Sequence, residues 1–170
     1  MKISPTALSE INNFRAVGDR LGTAGQPTRE QFRMVREAGF EAVINLALPT
    51  SDNALPNEGS VVTGLGMSYV HIPVDFKAPT SQDFRAFCRV MEAFDKRPLF
   101  VHCTANKRVS AFVFLYRVSY QRIALPEAER DLHSICSGIR VMTPPGVRVK
   151  SSSSASKPRC TRSSKAWDKP

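Results

Sequence analysis

Residues 98–110, PLFVHCTANKRVS, constrain this chain more than any other stretch. Leu99, Phe100 and Val101 form a short apolar run that reads as a buried strand. Residues 109–121 are long and apolar enough to make a core helix. Between the two lie a cysteine, several small or polar residues and an arginine, so the chain makes a strand, a loop and a helix with Cys103 at the strand's end. The backbone N–H groups of such a loop, and of the first helical turn, have no acceptors of their own. The helix dipole adds positive potential there. The result is a cradle for an oxyanion with a thiol beneath it, and the same potential favours a nucleophilic thiolate. Arg108 places a cation at the positive end of that dipole, an arrangement that calls for an anion nearby.

The rest of the chain supplies a sheet around this unit. Gly18-Asp19 is a turn pair between two short runs, 14–17 and 21–24, which predicts a hairpin. Thr28 is an N-cap for a helix carrying Phe32, Val35 and Ala38 on one face and stopped by Gly39. Residues 40–48 read as a strand. Residues 49–60 read as a loop, and 61–65 as a weak helix between Gly59 and Gly66. Residues 67–74 make the next strand, ending at Asp75. Pro79 and Thr80 then open a helix to about Phe94, with Thr80 and Asp83 spaced as a capping pair. After the cysteine loop and its helix, Pro126 suits the start of a last helix running to about Ile135. This alternation predicts an α/β fold, a central and largely parallel sheet flanked by helices in three layers.

Composition locates the charge. The chain carries a net +9, but Arg148, Lys150, Lys157, Arg159, Arg162, Lys165 and Lys169 stand against Asp168 alone beyond residue 146. The remainder is mildly basic, which suits an enzyme for an anionic substrate better than a nucleic-acid binder. Residues 151–156 are Ser-rich and cannot build a core. No apolar run approaches the roughly 20 residues that span a membrane. The N-terminus lacks the apolar core of a signal peptide, so a cytoplasmic location is expected. Cys88, Cys103, Cys136 and Cys160 have no metal-ligand spacing and no disulfide framework. Cys88 and Cys136 read as core filler and Cys160 as an exposed thiol.

His102-Cys103, a short loop, an arginine and Ser110 together resemble the active-site loop of cysteine-dependent phosphatases. Within that superfamily the chain is similar to a bacterial group related to dual-specificity phosphatases, found also as the phosphatase-like domain of beta-lactamase-hydrolase-like proteins. Residues 24–28 (AGQPT) and 72–76 (IPVDF) fit the same group. The resemblance covers roughly residues 12–135 and implies a phosphatase-like domain over residues 1–138; the composition of 139–170 makes it a low-complexity basic tail, expected to be disordered, where the family has an ordinary helical end. One departure matters. The usual loop has five residues between cysteine and arginine; here there are four, Thr104 to Lys107, and Val109 occupies the arginine's ordinary place.

The resemblance implies a role for each residue. Cys103 is the nucleophile that forms a cysteinyl-phosphate. Arg108 grips the phosphoryl oxygens through its planar fork. Thr104, Ala105, Asn106, Lys107, Val109 and Ser110 line the anion, with Asn106 standing where left-handed backbone usually selects glycine. Ser110 either donates to the thiolate or back-bonds within its helix. His102 orients the loop. The leaving oxygen needs a proton, and Asp75 stands where related phosphatases keep their acid; Asp83 is the rival, with a helix cap as its ordinary occupation. The substrate expected is a phosphorylated protein, on tyrosine, serine or threonine, or a small phosphorylated metabolite. No cofactor or metal is required, and neither nucleic acid nor membrane is an expected partner. The competing readings are a rhodanese-like sulfurtransferase, which needs no acid at Asp75, and a non-catalytic phosphate-binding relic, suggested by Val109.

Overall fold

The computed structural model describes residues 6–133. A short 3₁₀ helix, Thr6–Glu10, leads into β1 (Arg15–Val17) and β2 (Leu21–Ala24), paired antiparallel across a turn in which Gly18 takes a φ of 65°. The chain continues through α1 (Arg29–Glu37), β3 (Ala42–Asn45), α2 (Glu58–Gly64), β4 (Ser68–His71) and α3 (Ser81–Ala93). It then runs through β5 (Leu99–His102), α4 (Lys107–Ser119) and α5 (Leu125–His133). The five strands are ordered β1-β2-β5-β3-β4, and every pairing except β1 with β2 is parallel. The strand that precedes the cysteine therefore sits at the centre of the sheet.

Two cores flank the sheet because its strands alternate. Ala42, Ile44 and Leu46 on β3 and beyond, with Leu99 and Val101 on β5, pack with Phe84, Phe87, Phe112 and Leu115 of α3 and α4. Val43 and Phe100 face the other way, onto Phe32 and Val35 of α1, Val62 of α2, and Leu8 and Ile11 before β1. α4 is buried nearly all round, from Val109 to Val118, as befits a helix between a sheet and two neighbouring helices. Cys88 belongs to the same core.

Both predicted N-caps form reciprocal boxes: Thr28 with Gln31, and Thr80 with Asp83. Several boundaries differ from the sequence reading. α2 begins at Glu58, inside the predicted loop, because Val61 and Val62 are needed against α1 and the helix extends backward from them. β4 stops at His71, ahead of Pro73, which has no N–H for a ladder. α4 begins at Lys107, two residues earlier than predicted, which places Arg108 inside the helix. The predicted end of the last helix at Ile135, the tail from residue 139, Cys136 and Cys160 lie outside the described residues. Among the described residues no helix is long and apolar enough to cross a membrane.

Candidate active site

The period-two alternation of β5 aims its last residues in opposite directions. Cys103 follows Leu99 and Val101 into the core beneath α4 and is 1% exposed. His102 turns to the α1 side, where its ring meets Phe32 edge-on. The Cys103 N–H still reaches the Ala24 carbonyl of β2, at 3.3 Å. From Thr104 the chain leaves the sheet and is fastened from outside. The Thr104 carbonyl accepts from the Gln26 N–H (3.2 Å) and Asn53 Nδ2 (3.1 Å), and the Ala105 carbonyl accepts from Asn13 Nδ2 (3.2 Å). Across the planar peptide from the Thr104 carbonyl, the Ala105 N–H points away from those donors. Gly25 lies against this loop so closely that a Cβ there would stand 3.1 Å from the Thr104 carbonyl.

Asn106 makes the corner. Its backbone is left-handed (φ 64°), and its buried side chain donates to the Asn13 carbonyl at 2.7 Å and to Thr23 Oγ1 at 3.1 Å. α4 starts immediately after, so the N–H groups of Lys107, Arg108 and Val109 have no acceptor within the helix. Lys107 is exposed. The Val109 side chain is fully buried in the core, so only its backbone amide is available to an anion. Ser110 Oγ donates to the Lys107 carbonyl at 3.0 Å.

Arg108 reaches across the ends of two strands. Its Nη1 donates to the Val74 carbonyl at 2.8 Å and the Leu46 carbonyl at 3.1 Å, and its Nη2 to Thr104 Oγ1 at 2.6 Å. Nε and the second Nη2 hydrogen have no acceptor among the described residues, and two free N–H donors are what a bidentate oxyanion contact needs. The one-residue displacement of the arginine is thus absorbed by starting the helix earlier. Val109 then points into the core and Arg108 toward the strand ends.

Behind the loop lies a buried carboxylate. Glu58, 5% exposed, receives His102 Nε2 at 3.0 Å, Asn45 Nδ2 at 2.8 Å and the Tyr69 hydroxyl at 3.0 Å on one oxygen, and Gln26 Nε2 on the other. Burial works to raise its pKa, but the hydrogen bond and charge of His102, with Gln26 and Tyr69, outweigh it and hold the carboxyl below its ordinary value. Burial, chiefly, pushes the Tyr69 phenol well above its usual range, so it remains a donor.

The two acid candidates differ in occupation. Asp83 is committed to its cap, accepting from the Thr80 N–H (2.8 Å) and Thr80 Oγ1 (2.7 Å). Asp75 is exposed and, among the described residues, accepts only the Lys77 N–H, at 2.8 Å, in a local turn. It directly follows Val74, whose carbonyl holds Arg108. Phe76, next to it, is 58% exposed.

A family model described as "DSP-PTPase phosphatase fused to NAD+ Kinase" matches residues 10–143. The chain belongs to this phosphatase family. It is 33% identical to a DUF442 phosphatase from Shewanella putrefaciens CN-32, over 78% of this chain and 96% of that one, with a TM-score of 0.69. The core catalytic domain of the PP-IP phosphatase SIW14 from S. cerevisiae shares the fold, with 16% identity, 76% and 80% coverage and a TM-score of 0.63. A beta-lactamase hydrolase-like protein of Xylella fastidiosa (strain Temecula1) is 27% identical over 121 residues, which cover 69% of this chain and 28% of that protein. The chain therefore spans little more than a quarter of the length of the curated relatives it matches.

The phosphatase fold gathers Cys103, Thr104, Ala105 and Asn106 into one loop with Arg108 in the first turn of α4 after it, and Asp75 lies one residue from the arginine's anchor. Sequence reasoning missed the residues that hold this loop from outside: Asn13, Ser51 (whose Oγ is 3.3 Å from Thr104 Oγ1), Asn53 and Glu58. Their signals were too plain: Ser51, Asn53 and Glu58 are polar residues in a stretch read as a loop, and Asn13 precedes the first element read from the sequence. Among the described residues no three His, Cys, Asp or Glu side chains gather as metal ligands.

Proposed function

We propose that the chain is a cysteine-dependent phosphatase that hydrolyses phosphomonoesters through a cysteinyl-phosphate. The observation that carries this reading is the Arg108 guanidinium, fixed by Thr104 and two strand-end carbonyls with two N–H donors unspent, on the loop that begins at Cys103. A phosphoryl group held by those donors and the α4 N-terminal amides presents phosphorus to the Cys103 thiolate. Sulfur attacks, the P–O bond to the leaving group breaks, and Asp75 gives its proton to the departing oxygen. Water, deprotonated by the Asp75 carboxylate, then displaces the cysteine and releases phosphate.

The substrate is a phosphorylated protein or a small phosphorylated metabolite. The exposed Phe76 beside Asp75 favours an ester with an apolar or aromatic group near the phosphate. The catalytic unit ends near residue 138. The test is phosphate release from p-nitrophenyl phosphate in the presence of a metal chelator. Wild type should turn over and be inhibited competitively by vanadate, and Cys103→Ser should bind but not hydrolyse. Hydrolysis surviving in Cys103→Ser above a few per cent defeats the mechanism. Persulfide formation from thiosulfate instead would point to sulfur transfer.

A further inference from the structure

Glu58 is a buried, ionised group for which the hydrolytic scheme has no use, and its partners are unusually well placed. His102 immediately precedes the cysteine. Gln26, which donates to the other carboxylate oxygen, also donates its backbone N–H to the Thr104 carbonyl. Asn45 and Tyr69 bring in the neighbouring strands β3 and β4, and Asn45 is the residue in register with His102. One carboxylate thus ties together three parallel strands, at the C-terminal residues of β3 and β5 and at Tyr69 within β4, and grips the cysteine loop at two points, residues 102–103 and residue 104. All four contacts donate toward it, so each is strongest when Glu58 is an anion.

The chemistry of the contact with His102 is specific. A carboxylate accepts and does not donate, so His102 must carry its proton on Nε2. Nδ1 is buried with no hydrogen-bond partner among the described residues, and in the neutral ring it then holds the lone pair. A swap of tautomer would place two acceptors face to face at 3.0 Å. Phe32 and Phe100 wall the ring on its other sides, and Tyr69 is the titratable neighbour on the Glu58 side.

We propose that Glu58 is a positioning residue for the reaction: it locks His102 as the Nε2–H tautomer and, through His102 and Gln26, holds the cysteine loop in its reactive shape. The proposal rests on the phosphatase reading for its effect on rate, but not for its effect on His102. Glu58→Gln keeps the shape and removes the negative charge that strengthens all four contacts.

The experiment has two arms. Nitrogen NMR on the full chain, with His102 assigned against His71 and His133, reads the tautomer directly. Wild type should show Nε2–H alone in the neutral ring. Steady-state kinetics on p-nitrophenyl phosphate should show kcat falling at least about tenfold in Glu58→Gln, with KM changed less than about twofold, because the anion contacts stay and the nucleophile's placement loosens. An Nδ1–H tautomer in wild type overturns the proposal whether or not the variant folds. A folded variant with unchanged kcat overturns the positioning role. If wild type hydrolyses nothing, the phosphatase reading fails, while the NMR arm still decides the tautomer lock.

Discussion

Replacing Arg108 tests the displaced arginine most directly. Two of its N–H donors are free for phosphate, and a hydrogen bond to a charged partner is worth about 1.5–3 kcal/mol. Losing both costs roughly 3–6 kcal/mol in the transition state, a fall in kcat/KM of about 10²–10⁴ for Arg108→Ala. Arg108→Lys is the sharper variant. An ammonium has three N–H donors, and three acceptors already surround the head of this side chain: the carbonyls of Leu46 and Val74 and the hydroxyl of Thr104. A lysine that satisfied them would have nothing left for the anion. It should therefore fold like wild type yet remain nearly as inactive as the alanine variant. The assay is p-nitrophenyl phosphate hydrolysis with vanadate inhibition measured beside it, and both should weaken together. Turnover by Arg108→Lys within about threefold of wild type refutes the argument, as does unchanged vanadate inhibition in Arg108→Ala. Exchanging residues 108 and 109 does not restore the ordinary site in this fold. It moves an arginine into the place of Val109, which is 0% exposed, and is expected to lower the melting temperature sharply rather than awaken activity.

Three further outcomes follow. Asp75→Asn should slow turnover by roughly 10²–10⁴-fold, more for poor leaving groups than for an aryl phosphate; Asp83→Asn should instead cost about 0.5–1 kcal/mol of stability through its cap, in chemical unfolding, with turnover retained. If Asp83→Asn shows the leaving-group dependence, the acid is Asp83. The Glu58 carboxyl titrates below its unfolded value of 4.5, so its contribution to stability is complete above that pH and drains as pH falls through the lowered folded value. The stability gap between wild type and Glu58→Gln, from urea unfolding, should hold at pH 6 and 5 and shrink toward pH 3; a gap that ignores pH over that range contradicts the assignment. Truncation after Pro145 should preserve p-nitrophenyl phosphate hydrolysis, and a truncated chain that fails to fold would place part of the domain beyond that residue.

What the sequence determined by itself was local. The hairpin at Gly18, the caps at Thr28 and Thr80 and the strand before Cys103 each depend on residues within a few positions of one another. Their propensities and hydrogen bonds are readable in order along the chain. Even the opposite facing of His102 and Cys103 follows from a period of two. The start of α4 was not readable in this way. Val109 heads an apolar run whether the helix begins there or two residues earlier; only the packing of its side chain into the core sets the register and turns Arg108 toward Leu46 and Val74. Glu58 shows the limit most clearly. It lies 44 positions from His102, and its partners come from three strands and one loop. Nothing near Glu58 in sequence predicts that a carboxylate should be buried there. Its desolvation is offset only when the sheet order brings β3, β4 and β5 side by side and four donors converge on one point.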